Sequence, residues 1–130
     1  MRIYIAGGSS ERAQCAEYMR RLRERGHTIT HDWTSSEGFS RQLNHAEQRE
    51  EARRDFQAVL DADLVWVMIP AEKSEGSHFE LGAAIALNIP VVTSGPHRTA
   101  QHRIFPLLVT DHYESHLDAL IAVSGMRHAA

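Results

Sequence analysis

The sequence predicts an α/β fold, a flavodoxin-like (Rossmann-like) doubly wound parallel sheet of five strands in the order 2-1-3-4-5. Three observations carry this expectation. Short runs rich in isoleucine, valine and tyrosine alternate with longer stretches of helical periodicity, which implies right-handed crossovers and helices on both faces of a parallel sheet. The run "DLVWVMIP" is apolar almost throughout, as a central strand covered on both sides must be. The 130 residues, 42% of them hydrophobic and 24% charged, suit one domain spanning residues 1–130, large enough to bury a core without disulfides or metal.

The elements follow in order. "RIYIAG" stops at paired glycines and reads as a buried first strand. "SSERAQCAEYMRRLRERG" reads as a helix: serine can cap it, Ala13, Ala16, Met19 and Leu22 recur at helical spacing, and Gly26 marks its end. "HTITHDW" reads as the second strand, and the polar stretch from Thr34 to Leu43 as a loop. From His45 to Leu60 the pattern is helical and highly charged, with an apolar side at Ala52, Phe56, Val59 and Leu60. After the central strand, "AEKSEGS" leads into the helix "HFELGAAIALN", which places Glu80 in its first turn. "IPVVTSG" is a fourth strand, "FPLLVT" a short fifth, and "YESHLDALIAVSG" a closing helix. There is no internal repeat, low-complexity tract or interdomain linker.

Composition excludes several classes of function. The formal net charge is -3, no basic stripe points to a nucleic-acid polymer, and "RRLRER" reads as the solvated face of a helix. Cys15 is alone, so no disulfide framework or CxxC motif exists and a reducing compartment is expected. "MRIYIAGG" is not a signal peptide and no apolar run approaches the roughly 18 residues of a membrane span. These features predict a cytoplasmic protein with no membrane partner.

In this fold, ligands gather beyond the carboxyl ends of the strands near the point where strand order reverses. The loops after strands one and three flank that point. In the first, Gly7, Gly8, Ser9, Ser10 and Arg12 can cradle a phosphate through close backbone approach, hydroxyl donors and a helix amino terminus. The plainer reading is a glycine turn with a serine cap, and the loop matches neither GxGxxG nor GxxxxGK[ST]. The second loop leads to Glu80, which with Asp55 forms a candidate pair of carboxylates; the plainer readings are an acid favoured by the helix dipole and a solvated acid on a charged helix. Two carboxylates converging on one cleft suit glycosyl transfer, one as nucleophile and one to manage protons. His31 and His78 are expected to face the cleft, and Trp33 and Phe79 either stack a planar base or simply pack. His112 and His116 have i, i+4 spacing but lack the HExxH pattern and a third ligand, so no metal site is expected. No GxSxG elbow supports a serine triad.

Taken together, "IYIAG", "DFQAVLDADLVWVMIP" and "SEGSHFELGAAIALNIPVV" resemble the nucleoside 2-deoxyribosyltransferase family, over roughly residues 1–95. Within it the chain looks closest to the 2'-deoxynucleoside 5'-monophosphate N-hydrolase branch. By position, the resemblance implies Glu80 as covalent nucleophile, Asp55 as the helix acid eight residues before Asp63, and Tyr4 as the first-strand tyrosine near the nucleophile. Six residues before Glu80 the base-exchanging transferases resemble D-x-G-T-x-x-E, whereas the monophosphate hydrolases resemble S-x-G-x-x-x-E with the serine on the 5'-phosphate. "SEGSHFE", with Ser74, Gly76 and His78, follows the second pattern. The amino-terminal loop and "HDWT" depart from the usual hydrolase sequence, and His78 occupies a variable place.

The resemblance implies attack by Glu80 on the anomeric carbon, protonation or positioning of the leaving base by Asp55, and orientation of Glu80 by Tyr4. In that scheme the pKa of Asp55 lies above that of Glu80. Such chemistry requires no metal or organic cofactor. The partner is a small nucleotide or nucleoside, and a homodimer or higher homo-oligomer is implied. The rival readings are a base-exchanging transferase, a cytokinin-type phosphoribohydrolase, whose P-G-G-x-G-T loop is missing from this sequence, and a non-catalytic nucleotide-binding module on the same fold.

Overall fold

The computed structural model describes residues 1–70, 75–96 and 108–127. Five strands, β1 (Arg2–Ala6), β2 (Thr28–Ile29), β3 (Leu64–Met68), β4 (Val91–Ser94) and β5 (Asp111–Tyr113), form one sheet in the order β2-β1-β3-β4-β5 with every pairing parallel. The helices are α1 (Arg12–Glu24), α2 (His45–Leu60), α3 (Glu75–Ala86) and α4 (His116–Ser124). This is the architecture the alternating pattern predicts.

Strand alternation divides the core into two layers. Ile3, Ile5, Trp66 and Val92 point to one face, where Cys15, Met19 and Leu22 of α1 and Ala119, Leu120 and Val123 of α4 cover them. Tyr4, Ala6, Val65, Val67 and Val91 point to the other, against Ala58 and Val59 of α2 and Leu81 and Ala84 of α3. Each fully buried large aliphatic contributes about 1.5–3 kcal/mol relative to exposure. Trp66 stacks on Tyr18 with ring centroids 5.7 Å apart. Its indole N–H donates to Ser94 Oγ at 2.8 Å, and that oxygen also meets His116 Nδ1 at 2.7 Å, so the buried polar atoms here are satisfied. Cys15 is buried in the same layer; its thiol donates to Met68 Sδ at 3.6 Å, and burial, with Glu11 and Asp32 nearby, pushes it up to about 12.

Several boundaries differ from the sequence expectation. β2 is only two residues long: "HDW" leaves the sheet, and Asp32 accepts from the Thr34 backbone N–H as the cap of a short 3-10 helix, Trp33–Ser35. The buried stripe of α1 is Cys15, Tyr18, Met19 and Leu22, and Ala13 is exposed. A 3-10 turn, Ser9–Glu11, precedes α1, and no side-chain cap forms at either start. α2 keeps the expected bounds through a reciprocal capping box between Asn44 and Glu47, but Phe56 and Leu60 on its expected apolar side are exposed. α3 includes Glu75, so Glu80 occupies a second turn and the helix dipole at a first turn is not what accounts for it. The fifth strand is "DHY"; of "FPLLVT", residues 105–107 lie outside the described residues and 108–110 are not strand. His112 is therefore in β5 and His116 opens α4, bonded to Thr93 and Ser94 on opposite faces of the sheet.

Gly95 ends β4 with φ +124°, a region L side chains rarely adopt, and an added Cβ would sit 3.2 Å from the Ile69 carbonyl oxygen and from His116 Cε1. Gly95→Ala is expected to cost about 1–3 kcal/mol, read as a lower urea midpoint at unchanged slope.

Candidate active site

The two helices over the Tyr4 face each contribute residues spaced i, i+3, i+4 to one cavity of about 300 Å³. Ala52, Asp55 and Phe56 come from α2, and Gly76, Phe79 and Glu80 from α3. On α2 the spacing of Asp55 from Val59 turns it toward the sheet, one turn before the buried Ala58 and Val59. On α3, Glu80 lies between Ser77 and Leu81, both buried, and Ala84 follows one turn on. Phe56 and Phe79 are 45% and 66% exposed, so their rings form an open rim around a half-buried acid pair.

Tyr4 supplies the floor. Its position in β1, in register with Val65 of β3, buries the ring completely. The hydroxyl interacts with both Glu80 and Asp55. Neither contact closes to good hydrogen-bond geometry, because the hydroxyl and Asp55 Oδ1 are both buried without a bonded partner. Burial first, then the two carboxylates, drive the tyrosine pKa far above its ordinary value, so Tyr4 stays neutral throughout the physiological range.

Glu80 is pushed up to about 8, chiefly by burial and next by the charge of Asp55, against a lowering contact from Tyr4. Asp55 is also raised, by burial first and by Glu51, while His31 and Tyr4 oppose the shift. The larger shift thus falls on Glu80, which reverses the expected order of the two acids. The cause is geometric: His31 Nε2, 3.7 Å from Asp55 Oδ1, works against burial and Glu51 at that acid, whereas at Glu80 the group working against burial and Asp55 is the Tyr4 hydroxyl. Burial and the repulsion between the two charges favour a pair that shares one proton over a pair that is doubly ionised.

The other expected site residues fall into separate groups. Gly76 lines the cavity, whereas His78 is exposed on α3 and does not. Ser74 lies outside the described residues. In the amino-terminal loop, a Cβ on Gly7 would fall 2.8 Å from Cys15 Sγ, and one on Gly8 2.9 Å from Glu11 Oε2 and 3.1 Å from Pro70. Ser9 and Ser10 are exposed, and Ser10 Oγ donates to Glu11 Oε2 at 2.8 Å. Arg12 donates from Nε to the Thr34 carbonyl at 2.8 Å and lies over the Phe39 ring at 4.0 Å. Trp33 packs, donating to the Ile5 carbonyl at 2.8 Å. Phe79 does not pack, and Phe56, read from sequence as part of a buried stripe, belongs with it on the rim. Among the described residues no group of three or more His, Cys, Asp or Glu side chains is placed to hold a metal ion, and no helix is long and apolar enough to cross a membrane.

Comparison with known proteins follows the same lines. The family model described as nucleoside 2-deoxyribosyltransferase matches residues 3–119. The fold is similar to that of a CMP N-glycosidase from Clostridium botulinum, at 17% identity and a TM-score of 0.62 over 95% of this chain and 98% of the other. It is also similar to a 2-deoxyribosyltransferase from Bacillus psychrosaccharolyticus, at 17% identity and a TM-score of 0.69 over 100% of both chains. A conserved protein from Enterococcus faecalis V583 gives 0.68 at 17% identity over 95% and 96%. No curated protein sequence matches the chain.

The raised Glu80 carboxyl has a consequence for stability. Between about pH 4.5, where an ordinary glutamate ionises, and about pH 8, the unfolded chain has released a proton that the folded chain keeps. Stability contributed at this position is therefore complete at acid pH and is lost as pH rises through that window. Glu80→Gln removes this loss, so the variant should match the parent near pH 4 and exceed it progressively toward pH 8, by on the order of a few kcal/mol. Urea unfolding at a series of pH values measures the gap; parallel curves would show that Glu80 ionises normally.

Proposed function

The chain belongs to the nucleoside 2-deoxyribosyltransferase family, and on that premise we propose that it cleaves the N-glycosidic bond of (deoxy)nucleoside 5'-monophosphates and releases the free base. The observation that carries this reading is the pairing of Glu80 and Asp55 in one cavity with the Tyr4 hydroxyl against both. The ionised Glu80 attacks the anomeric carbon as the C–N bond breaks through an oxocarbenium-like transition state. Asp55 gives its proton to the departing base. Water then adds at the same carbon, returns a proton to Asp55 and frees Glu80 as a carboxylate.

The proton count balances within the site. The two carboxyls share one proton, and the reactive arrangement needs it on Asp55. Tyr4 can accept from one carboxyl while donating to the other, which arms nucleophile and acid together and draws no proton from solvent. The Phe56 and Phe79 rings offer apolar faces on which a planar base can stack.

The monophosphate preference is supported by the pattern S-x-G-x-x-x-E, with Ser74 as the phosphate residue, and by Ser9, Ser10 and Arg12 in the loop after β1. One observation favours a second reading, base exchange between uncharged nucleosides. Glu11 places a carboxylate against Gly8 in that same loop, and a negative side chain there opposes a phosphate. Exposed Phe56 and Leu60 on α2, Phe79 on α3 and Leu87 just past the end of α3 support a homodimer or higher oligomer that covers this face, and the lone thiol suits a cytoplasmic setting.

Incubation with a panel of nucleosides and 5'-monophosphates, with free base followed by chromatography, tests the proposal. Release from monophosphates alone supports the hydrolase, and exchange between nucleosides supports the transferase. Binding without release from any member would leave a non-catalytic module. Glu80→Ala is expected to lower turnover at least about 10³-fold with substrate binding retained, and full activity in that variant would remove Glu80 as nucleophile.

A further inference from the structure

We propose that His31 is a positioning residue for Asp55: it fixes the carboxyl from behind and takes up the charge that appears there when the leaving base removes the proton. The inference rests on the N-glycosidase reading above. His31 Nε2 stands 3.7 Å from Asp55 Oδ1, and both atoms are buried without a hydrogen-bond partner. Unpaired buried polar atoms are costly and uncommon. A small closure, to the about 2.8 Å of a charge-assisted bond, satisfies both at once.

The two residues reach each other from independent elements. His31 follows β2, and Thr30 N–H donates to the Ile3 carbonyl at 3.0 Å, so the ring is carried by the sheet edge beside Tyr4. Asp55 is carried by α2. A bond between them would fix the helix acid relative to the strand that bears Tyr4. The groups facing Asp55 are the Tyr4 hydroxyl from β1, Glu80 from α3, Glu51 one turn earlier on α2, and His31. Two of these are acids and one is a neutral hydroxyl. His31 makes the largest contribution in favour of a negative charge on Asp55, and the Tyr4 hydroxyl adds a smaller one.

His31 also borders a second cavity, of about 510 Å³, with Asp32, Glu51 and Arg54 among its walls. That cavity shares no lining residue with the one at Glu80. The ring therefore borders a space separate from the cavity that holds Glu80. In the reaction itself no proton leaves His31. Asp55 passes its proton to the base nitrogen as the C–N bond breaks, the new carboxylate accepts from His31 Nε2–H, and the later water molecule returns a proton to Asp55.

The test compares two leaving groups. A natural base needs a proton to depart, whereas a 4-nitrophenyl (deoxy)ribosyl 5'-phosphate releases a stable anion without one. In His31→Leu, kcat for base release should fall about 10-fold to 100-fold with KM within about 3-fold, while release of nitrophenolate should fall less than about 3-fold. His31→Gln, which keeps a neutral donor, should lie between. The Asp55 carboxyl, followed by ¹³C NMR, should titrate at higher pH in His31→Leu than in the parent. Equal slowing of both substrates, or none, with an unmoved Asp55 midpoint overturns the role of His31 while leaving the glycosidase reading intact. A parent protein that releases neither leaving group overturns the glycosidase reading instead, and the Asp55 midpoint, which needs no turnover, still decides whether His31 opposes that charge.

Discussion

Two carboxyl groups buried against the same tyrosine hydroxyl set the terms for the rest of this structure. Glu80 and Asp55 each lose water on folding, and Glu80 also feels the charge of Asp55. Such a pair cannot be doubly ionised at neutral pH without large cost, so it retains a proton, and the position of that proton becomes a chemical variable. The surrounding layer is built to hold the groups still. Val65, Val67 and Val91 form the sheet beneath, Ala58, Val59, Leu81 and Ala84 seat the two helices, and Tyr4 is fixed by its strand register. Apolar packing on this face thus serves to position a small polar centre that works against stability.

Much of this arrangement was visible in the chain. The nearly continuous apolar run of β3 marked the centre of the sheet, and the helical spacing from His45 to Leu60 marked α2 with its bounds intact. The triples Ala52, Asp55, Phe56 and Gly76, Phe79, Glu80 share the i, i+3, i+4 spacing that sets side chains on one helical face. What periodicity hid was which aromatic residues are covered. Phe56 satisfies a core pattern and yet is exposed, because the partner surface that would bury it is a cavity. The short β2 was also hidden, since "HDW" has strand-like composition and yet leaves the sheet, with the Asp32 side chain bonding to the Thr34 backbone. The order of the two acid pKa values was out of reach for the same reason: it depends on which neighbour works against burial at each acid, chiefly His31 at Asp55 and the Tyr4 hydroxyl at Glu80.

The loop after β1 illustrates how a motif can be correct in form and ambiguous in charge. Gly7 and Gly8 pack as close-approach glycines should, against Cys15, Glu11 and Pro70. Yet the serines that would greet a phosphate sit beside Glu11, and Arg12 is engaged with Thr34 and Phe39. Under the proposed reading, a few charges on this scaffold decide between a phosphorylated and an unphosphorylated sugar. The fold is similar to that of a CMP N-glycosidase and to that of a 2-deoxyribosyltransferase, each at 17% identity, so the fold by itself does not select between them.

Cys15 is the only thiol in the sequence, and it is sealed in the α1 layer, its sulfur turned to Met68 and its pKa pushed up to about 12. A thiol so rarely ionised is a poor nucleophile. The folded protein therefore presents almost no thiol reactivity to alkylating reagents. Any mass gained when the native chain meets an electrophilic sugar can accordingly be assigned away from the cysteine, with no competing thiol adduct to subtract.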